Sequence, residues 1–370
     1  MTHDMPLLSN SAIGNQNIRN RLVLAPMSRA SAEDDGTPTQ SMADYYARFA
    51  SGGFGLLIAE GAYVDSRHAR CYANQPGLVT DRHEAGWKVV ADAVRNENGK
   101  IFLQLIHAGS VSQFVDTPHA PSPVRPNGTM LQGYGPRQGR YQIPSELDRD
   151  GIQKIEAAFV EAAKRAEQAG FDGVEVHCAN GYLLDQFLTA ESNLRMDAYG
   201  GSLKNRLRLT IDILEKTQLA TSRQFAVGVR LSQAKATQPD YFWPNGLQDA
   251  REIFQGVADA GADFIHLASE KNGYAYHSTA NTGENLTAFA RQLTGLPVIA
   301  NGGLQDIALA NRIVSDQLAD FVSIGKAAML NTDLPRKIEM GTPLKGFTYD
   351  MFKYGVTIGA QTKWENEQVA

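Results

Sequence analysis

The sequence predicts a single (β/α)8 barrel of the α/β class, with an N-terminal extension and decorated loops on its C-terminal face. Two observations predict it. Short β-rich runs alternate with longer helical stretches from one end of the chain to the other, and the strand-like runs number eight. In addition, three strand starts share one internal pattern. A length of 370 residues taken alone suggests two or three domains. Barrels of this class commonly pass about 250 residues as one unit, however, and no low-complexity linker divides the chain, so residues 1–370 read as one domain.

The strand candidates, in order, are residues 21–27, 56–63, 101–107, 173–178, 225–231, 263–268, 297–301 and 321–325. Each is short, apolar and rich in β-branched residues. Segments 152–169, 202–219, 247–260 and 304–315 repeat apolar residues at i, i+3 and i+4, the period of a helix with one buried face.

The internal echo is Ala169-Gly-Phe-Asp-Gly-Val-Glu-Val-His, Ala260-Gly-Ala-Asp-Phe-Ile-His-Leu-Ala and Leu318-Ala-Asp-Phe-Val-Ser-Ile-Gly. Alignment on Asp172, Asp263 and Asp320 puts Glu175 and His177, His266 and Ala268, and Ser323 and Gly325 on one strand face by the period of two. Val174, Val176, Ile265, Leu267, Val322 and Ile324 face the other way, toward the helices. The polar set suits the barrel interior and mouth. Two long connections, 110–149 and 233–246, follow strands and so belong over the C-terminal mouth, where barrel enzymes build their sites.

Charge and cysteine usage narrow the function. There are 35 Lys+Arg against 40 Asp+Glu, with no block of like charge, which argues against a nucleic-acid partner. Residues 1–16 have no cationic start followed by an apolar run, and nowhere do 18 apolar residues follow one another. A cytoplasmic protein without a membrane partner is expected. The two cysteines, Cys71 and Cys178, lack metal-ligand spacing, so unpaired thiols and no metal site are expected.

Four groups of residues look chemical. His177, Asn180 and Tyr182 follow one another where a strand turns into a helix, and could polarise a substrate oxygen and deliver a proton, or simply satisfy the turn. Arg230 lies within an apolar strand, where a guanidinium is costly without an anionic partner. That partner is Glu175, Glu60 or an electron-rich ligand ring. Gly302 and Gly303 after the seventh strand, with Gly325 and Lys326 after the eighth, suit a phosphate held by bare glycine N–H groups. Ala25, Pro26 and Ser28 after strand one, Gly61 after strand two and Gln104 within strand three suit a flat ligand with amide-like edges, though a water could also satisfy Gln104.

Across nearly its whole length the chain resembles the old yellow enzyme family of flavin-dependent ene-reductases. The resemblance rests on Arg19-Asn-Arg-Leu-Val-Leu-Ala-Pro-Met-Ser-Arg, on Gly99-Lys-Ile-Phe-Leu-Gln-Leu, and above all on residues 169–188, which continue into Ser192-Asn and Asp197-Ala-Tyr-Gly-Gly-Ser-Leu-Lys-Asn-Arg. It implies a non-covalent FMN with NADPH or NADH as reductant. Ala25, Pro26, Ser28, Gly61, Gln104 and Arg230 would surround the isoalloxazine, while Gly302, Gly303, Gly325 and Lys326 would hold the phosphate.

The implied reaction passes hydride from NAD(P)H to flavin N5 and then to the β carbon of an activated alkene, a small-molecule partner. His177 and Asn180 would hold the carbonyl or nitro oxygen, and Tyr182 would protonate the α carbon. The chain departs from the family pattern at Lys326, where Arg is expected, at Ser110, where relatives carry Arg or an aromatic, and at Gln233, where Pro is common. Beyond Phe347 the tail also diverges. A flavin-binding sensor or storage protein and a phosphate-binding barrel lyase or isomerase are the alternatives, and the sequence leaves oligomeric state open between monomer and homodimer.

Overall fold

The computed structural model describes residues 5–269 and 273–369. A hairpin, β1 (Ser11–Ile13) and β2 (Gln16–Ile18), precedes β3 (Leu22–Leu24), β4 (Leu56–Tyr63) and β5 (Ile101–Ile106). The long connection after β5 is cinched by a two-residue ribbon of β6 (His119–Ala120) and β7 (Ser145–Glu146). The chain continues through β8 (Gly173–Asn180), β9 (Ala226–Lys235), β10 (Phe264–Ala268), β11 (Val298–Asn301) and β12 (Phe321–Ile324). These last five strands close with β3, β4 and β5 into an eight-stranded parallel barrel. The expected (β/α)8 architecture is therefore the observed one.

The helices α1 (Gln40–Ser51), α2 (Asp81–Asn96), α3 (Arg149–Gln168), the short α4 (Leu183–Leu188), α5 (Leu203–Ala220), α6 (Leu247–Asp259), the single turn α7 (Tyr274–His277), α8 (Leu286–Thr294) and α9 (Ile307–Ser315) follow the strands in turn. Past β12 come α10 (Lys326–Leu330), α11 (Leu334–Met340) and α12 (Ile358–Val369). Among the described residues no helix is long and apolar enough to cross a membrane.

The interior is layered. Its floor is Val23, Leu56, Ile58, Phe102, Ala226, Phe264, Ile299 and Phe321, joined by Ile13 and Ile18 of the hairpin. The N-terminal extension is thus a plug under the barrel. Val174, Val176, Ile265, Leu267, Val322 and Ile324 pack outward with the helices, as the strand period requires.

The repeated aspartates have a common structural use. Asp172 Oδ2 accepts the N–H of Ile101 at 3.0 Å, Asp263 Oδ2 that of Val227 at 2.8 Å, and Asp320 Oδ2 that of Val298 at 3.0 Å. Each carboxylate satisfies a donor at the start of the neighbouring strand, where the ladder offers none. Lys100, Gln218 and Arg291 respectively bind the same three carboxyl groups.

Two strands differ most from their expected extents. β3 is three residues rather than 21–27: Ala25 still donates to the carbonyl of Ile324 at 3.1 Å, but Pro26 has no N–H to continue the ladder. β9 runs four residues beyond 231, because Lys235 pairs with Asn180 across an irregularity in β8. The fourth helix candidate begins at Ile307 rather than 304, where the Asp306 side chain caps the N–H of Leu309 at 3.0 Å.

Replacing Asp263 with Ala leaves the buried Val227 N–H without its acceptor. A loss of roughly 1–3 kcal/mol in urea unfolding is expected, with Asp263→Asn losing less because its amide oxygen still accepts.

Candidate functional site

Above the apolar floor the interior turns polar. Glu175, fully buried, accepts from Gln104 Nε2 at 2.7 Å and lies 2.6 Å from Nδ1 of His266, whose Nε2 is 2.8 Å from Ser323 Oγ. Asn301 Nδ2 donates to the same Ser323 hydroxyl at 2.9 Å, closing a chain from β5 to β12. Burial pushes the Glu175 carboxyl up, but His266, Arg230 and the Gln104 amide outweigh it and hold Glu175 below its usual range. The sequence pattern put Glu175, His266 and Ser323 on the interior face without foreseeing that they bond to one another.

One layer higher, Arg230 lies in register between His177 on β8 and His266 on β10. His177 is 3 % exposed, and burial followed by the Arg230 and His266 charges holds its imidazole well below the usual value. The ring is neutral at physiological pH and has one N–H to give. Its Nδ1 has no partner among the described residues. Tyr182 stacks obliquely on this imidazole, with ring centroids 5.0 Å apart.

The turn that carries Asn180 and Tyr182 is heavily braced. Asn180 sits at φ +60°, a left-handed conformation that Asn tolerates better than most side chains. Its N–H donates to Ser232 Oγ at 2.8 Å and its carbonyl accepts from Ala236 at 3.0 Å. The Gly181 N–H donates to Asp185 Oδ2 at 2.7 Å, and the Leu183 N–H to the carbonyl of His107 at 3.0 Å. Beneath the turn Lys235 forms an ion pair with Asp185; their side chains are 4 % and 0 % exposed. Nothing in the spacing of Asp185 and Lys235 announces this pair. The Tyr182 hydroxyl lies 2.5 Å from that of Tyr72, a residue the motif reading passed over because it comes from the loop after β4.

The remaining predicted residues line the same mouth. Ala25 is buried and Pro26 and Ser28 are half-buried at the end of β3. Gly61 lies within an irregularity of β4 between Ala59 and Ala62, where an added Cβ would stand 2.9 Å from Ile106 Cγ2 and 3.2 Å from Gln104 Oε1. Glu60 beside it accepts the Arg29 N–H at 2.8 Å and receives the Tyr46 hydroxyl at 3.3 Å, tying the Ser28 loop to β4. Gln233 spans two loops: its Nε2 donates to the carbonyls of His277 and Thr279, each at 3.0 Å, and its Oε1 accepts from Trp243 at 3.2 Å.

Gly302 and Gly303, at φ +116° and +67°, follow β11, and Gly325 and Lys326 follow the adjacent β12. A Cβ on Gly302 would come within 2.0 Å of the Ser269 carbonyl, whereas one on Gly303 would meet only Gly273 Cα at 3.9 Å. Lys326 Nζ donates to the Tyr349 hydroxyl at 2.8 Å. Among the described residues no group of three or more His, Cys, Asp or Glu is placed to hold a metal ion, and both cysteines are buried free thiols.

These residues fit a flavin mononucleotide. The half-buried Ser28 hydroxyl beside the side-chain-free Gly61 could meet the edge of a flat ring, and a bare glycine pair beside a lysine could cradle a phosphate. Barrel, polar interior and rim together describe an enzyme whose chemistry is done at the C-terminal ends of parallel strands.

The comparisons agree. Residues 7–345 match the model of the NADH:flavin oxidoreductase / NADH oxidase family. The chain is 32% identical over 361 residues to 12-oxophytodienoate reductase 1 of Oryza sativa subsp. japonica, covering 94% of this chain and 90% of that protein. An NADH oxidase of Thermoanaerobacter brockii is 32% identical over 355 residues; the match takes in 92% of this chain but only about half, 52%, of that longer protein. Morphinone reductase in complex with tetrahydroNAD superposes with a TM-score of 0.83 at 30% identity, covering 94% and 93% of the two chains. The old yellow enzyme homologue from Zymomonas mobilis does so with the same TM-score at 27% identity, covering 94% and 96%. The chain belongs to the NADH:flavin oxidoreductase / NADH oxidase family, the family of the old yellow enzymes. It is an FMN-dependent oxidoreductase that uses NAD(P)H.

Two outcomes test the bracing. Lys235→Met strands a buried carboxylate under the turn that carries Asn180 and Tyr182 and is expected to cost roughly 3–5 kcal/mol in urea unfolding; adding Asp185→Asn recovers part of the loss. Glu60 is the second case. Burial raises its carboxyl from 4.5 to about 7, so the folded state keeps a proton that the unfolded chain has released, and stability falls as pH rises through that window. The Tm of Glu60→Gln is expected to gain on wild type between pH 5 and pH 8, by a difference equivalent to roughly 3 kcal/mol.

Proposed function

We propose that the protein is an ene-reductase, acting on α,β-unsaturated carbonyl compounds or nitroalkenes. The observation that carries this reading is the neutral, buried His177, with an unpartnered ring nitrogen, set against Tyr182 at the barrel mouth. FMN, when bound, supplies the hydride exchange between NAD(P)H and the alkene.

The chain's own residues do the rest. His177 and Asn180 hydrogen-bond the carbonyl or nitro oxygen, drawing electron density from the double bond so that the β carbon accepts hydride. Because burial, and after it the Arg230 charge, keeps His177 uncharged, the oxygen meets an N–H donor rather than an acid strong enough to protonate it. Tyr182 gives its phenolic proton to the α carbon. Burial pushes the Tyr72 phenol up, so it stays protonated and donates to the Tyr182 oxygen, steadying it once its proton has left. Ala25, Pro26, Ser28, Gly61, Gln104 and Arg230 would hold the flavin ring, and Gly302, Gly303, Gly325 and Lys326 its phosphate.

The test is spectroscopic. The FMN-loaded protein should bleach anaerobically with NADPH and regain its yellow colour on addition of 2-cyclohexenone; a colour that never returns would refute the reading. Tyr182→Phe should slow the enone step by about 10²-fold or more in stopped flow, leaving flavin reduction within a few-fold of wild type. Tyr72→Phe should slow the same step by about tenfold.

A further inference from the structure

Between the loops after β5, β8 and β9 lies a cavity of about 230 Å³. It reaches Gly181, the residue between Asn180 and Tyr182, and it shares Val111 with the wall on which Tyr182 packs. Gly181 presents no side chain at this step; a Cβ there would stand only 3.4 Å from Lys235 Cβ.

Ser110 meets the loop after β9 here. Ser110 is on the wall, and so are Lys235, Thr237 and Gln238 from the connection that follows Gln233. Ser110 is 4 % exposed, its N–H donates to Gln186 Oε1 at 3.0 Å, and its hydroxyl has no hydrogen-bond partner among the described residues. A side chain as small as serine fills little of the space and leaves a hydroxyl on its wall.

The chemistry of the wall selects the occupant. Lys235 is matched by Asp185, and Glu191 receives Gln238 Nε2 at 2.8 Å, while Arg125 Nη1 donates to the Tyr141 carbonyl at 2.5 Å. Two cationic and two anionic groups therefore leave no net charge to attract an ion, among hydroxyl and amide groups able to bond a neutral one. The volume is below the roughly 300–1,000 Å³ of a complete small-molecule pocket, which suits part of a ligand. We infer that this cavity is a subsite for an uncharged, hydrogen-bonding tail, a hydroxyl or amide chain, on the alkene substrate, with Ser110 as its specificity-determining residue. The inference rests on the ene-reductase reading.

The experiment compares kcat/KM of the FMN-loaded enzyme for three probes: 2-cyclohexenone, cyclohexenones bearing a 3-hydroxypropyl chain at each free ring carbon in turn, and their butyl isosteres. Wild type should prefer one hydroxylated isomer to its butyl partner by about tenfold, the worth of one hydrogen bond. Ser110→Ala should abolish that preference while leaving 2-cyclohexenone within about twofold. Gln238→Trp, which fills the cavity from its rim, should lower kcat/KM for both tailed compounds and spare the plain enone. Equal rates for hydroxyl and butyl tails in wild type, or a uniform fall across all three probes in both variants, would overturn the subsite alone. Failure of wild type to turn over any enone would instead overturn the ene-reductase reading, and the subsite with it.

Discussion

The upper barrel depends on one constraint, the burial of the Glu175 carboxylate among eight strands. An ionised carboxylate in that position is tolerable only if donors converge on it, and Gln104 and His266 do so at 2.7 and 2.6 Å. Satisfying Glu175 fixes His266, which engages Ser323, which Asn301 engages in turn. Five of the eight strands are thereby tied to one charge. Burial first, and then the Arg230 charge beside both groups, keep the His177 imidazole neutral.

The layers follow from that requirement. Below Glu175 the interior is closed by aromatic and aliphatic side chains and by the N-terminal hairpin, so the polar chain rests on an apolar floor. Above it, the strands end in loops free to carry the chemistry. Lys235 and Asp185 repeat the device at the rim: a second buried charge pair holds the turn on which Asn180 and Tyr182 are mounted.

Much of this was legible in the sequence. The eight strands, their inward faces and the His177, Asn180 and Tyr182 turn could be read because strand period and local motif are properties of contiguous residues. The echo of Asp172, Asp263 and Asp320 was visible too, although its reason, a carboxylate capping the N–H that opens the neighbouring strand, needed the neighbour. The extents of β3 and β9 were less legible. The first is set by a proline lacking a donor and the second by a partner 55 positions away in sequence, Asn180 to Lys235.

The sequence by itself thus determined the barrel, the family and the turn that carries Asn180 and Tyr182, since each is written in short-range pattern. Only the tertiary structure decided which groups share a proton or a charge. Tyr72 reaches Tyr182 across 110 positions, Glu175 reaches His266 across 91, and Ser110 joins the loop after β9 around one cavity. Hydrogen bonds and ion pairs act over about 3 Å whatever the chain distance between the partners, and barrel closure is what brings these groups within that range.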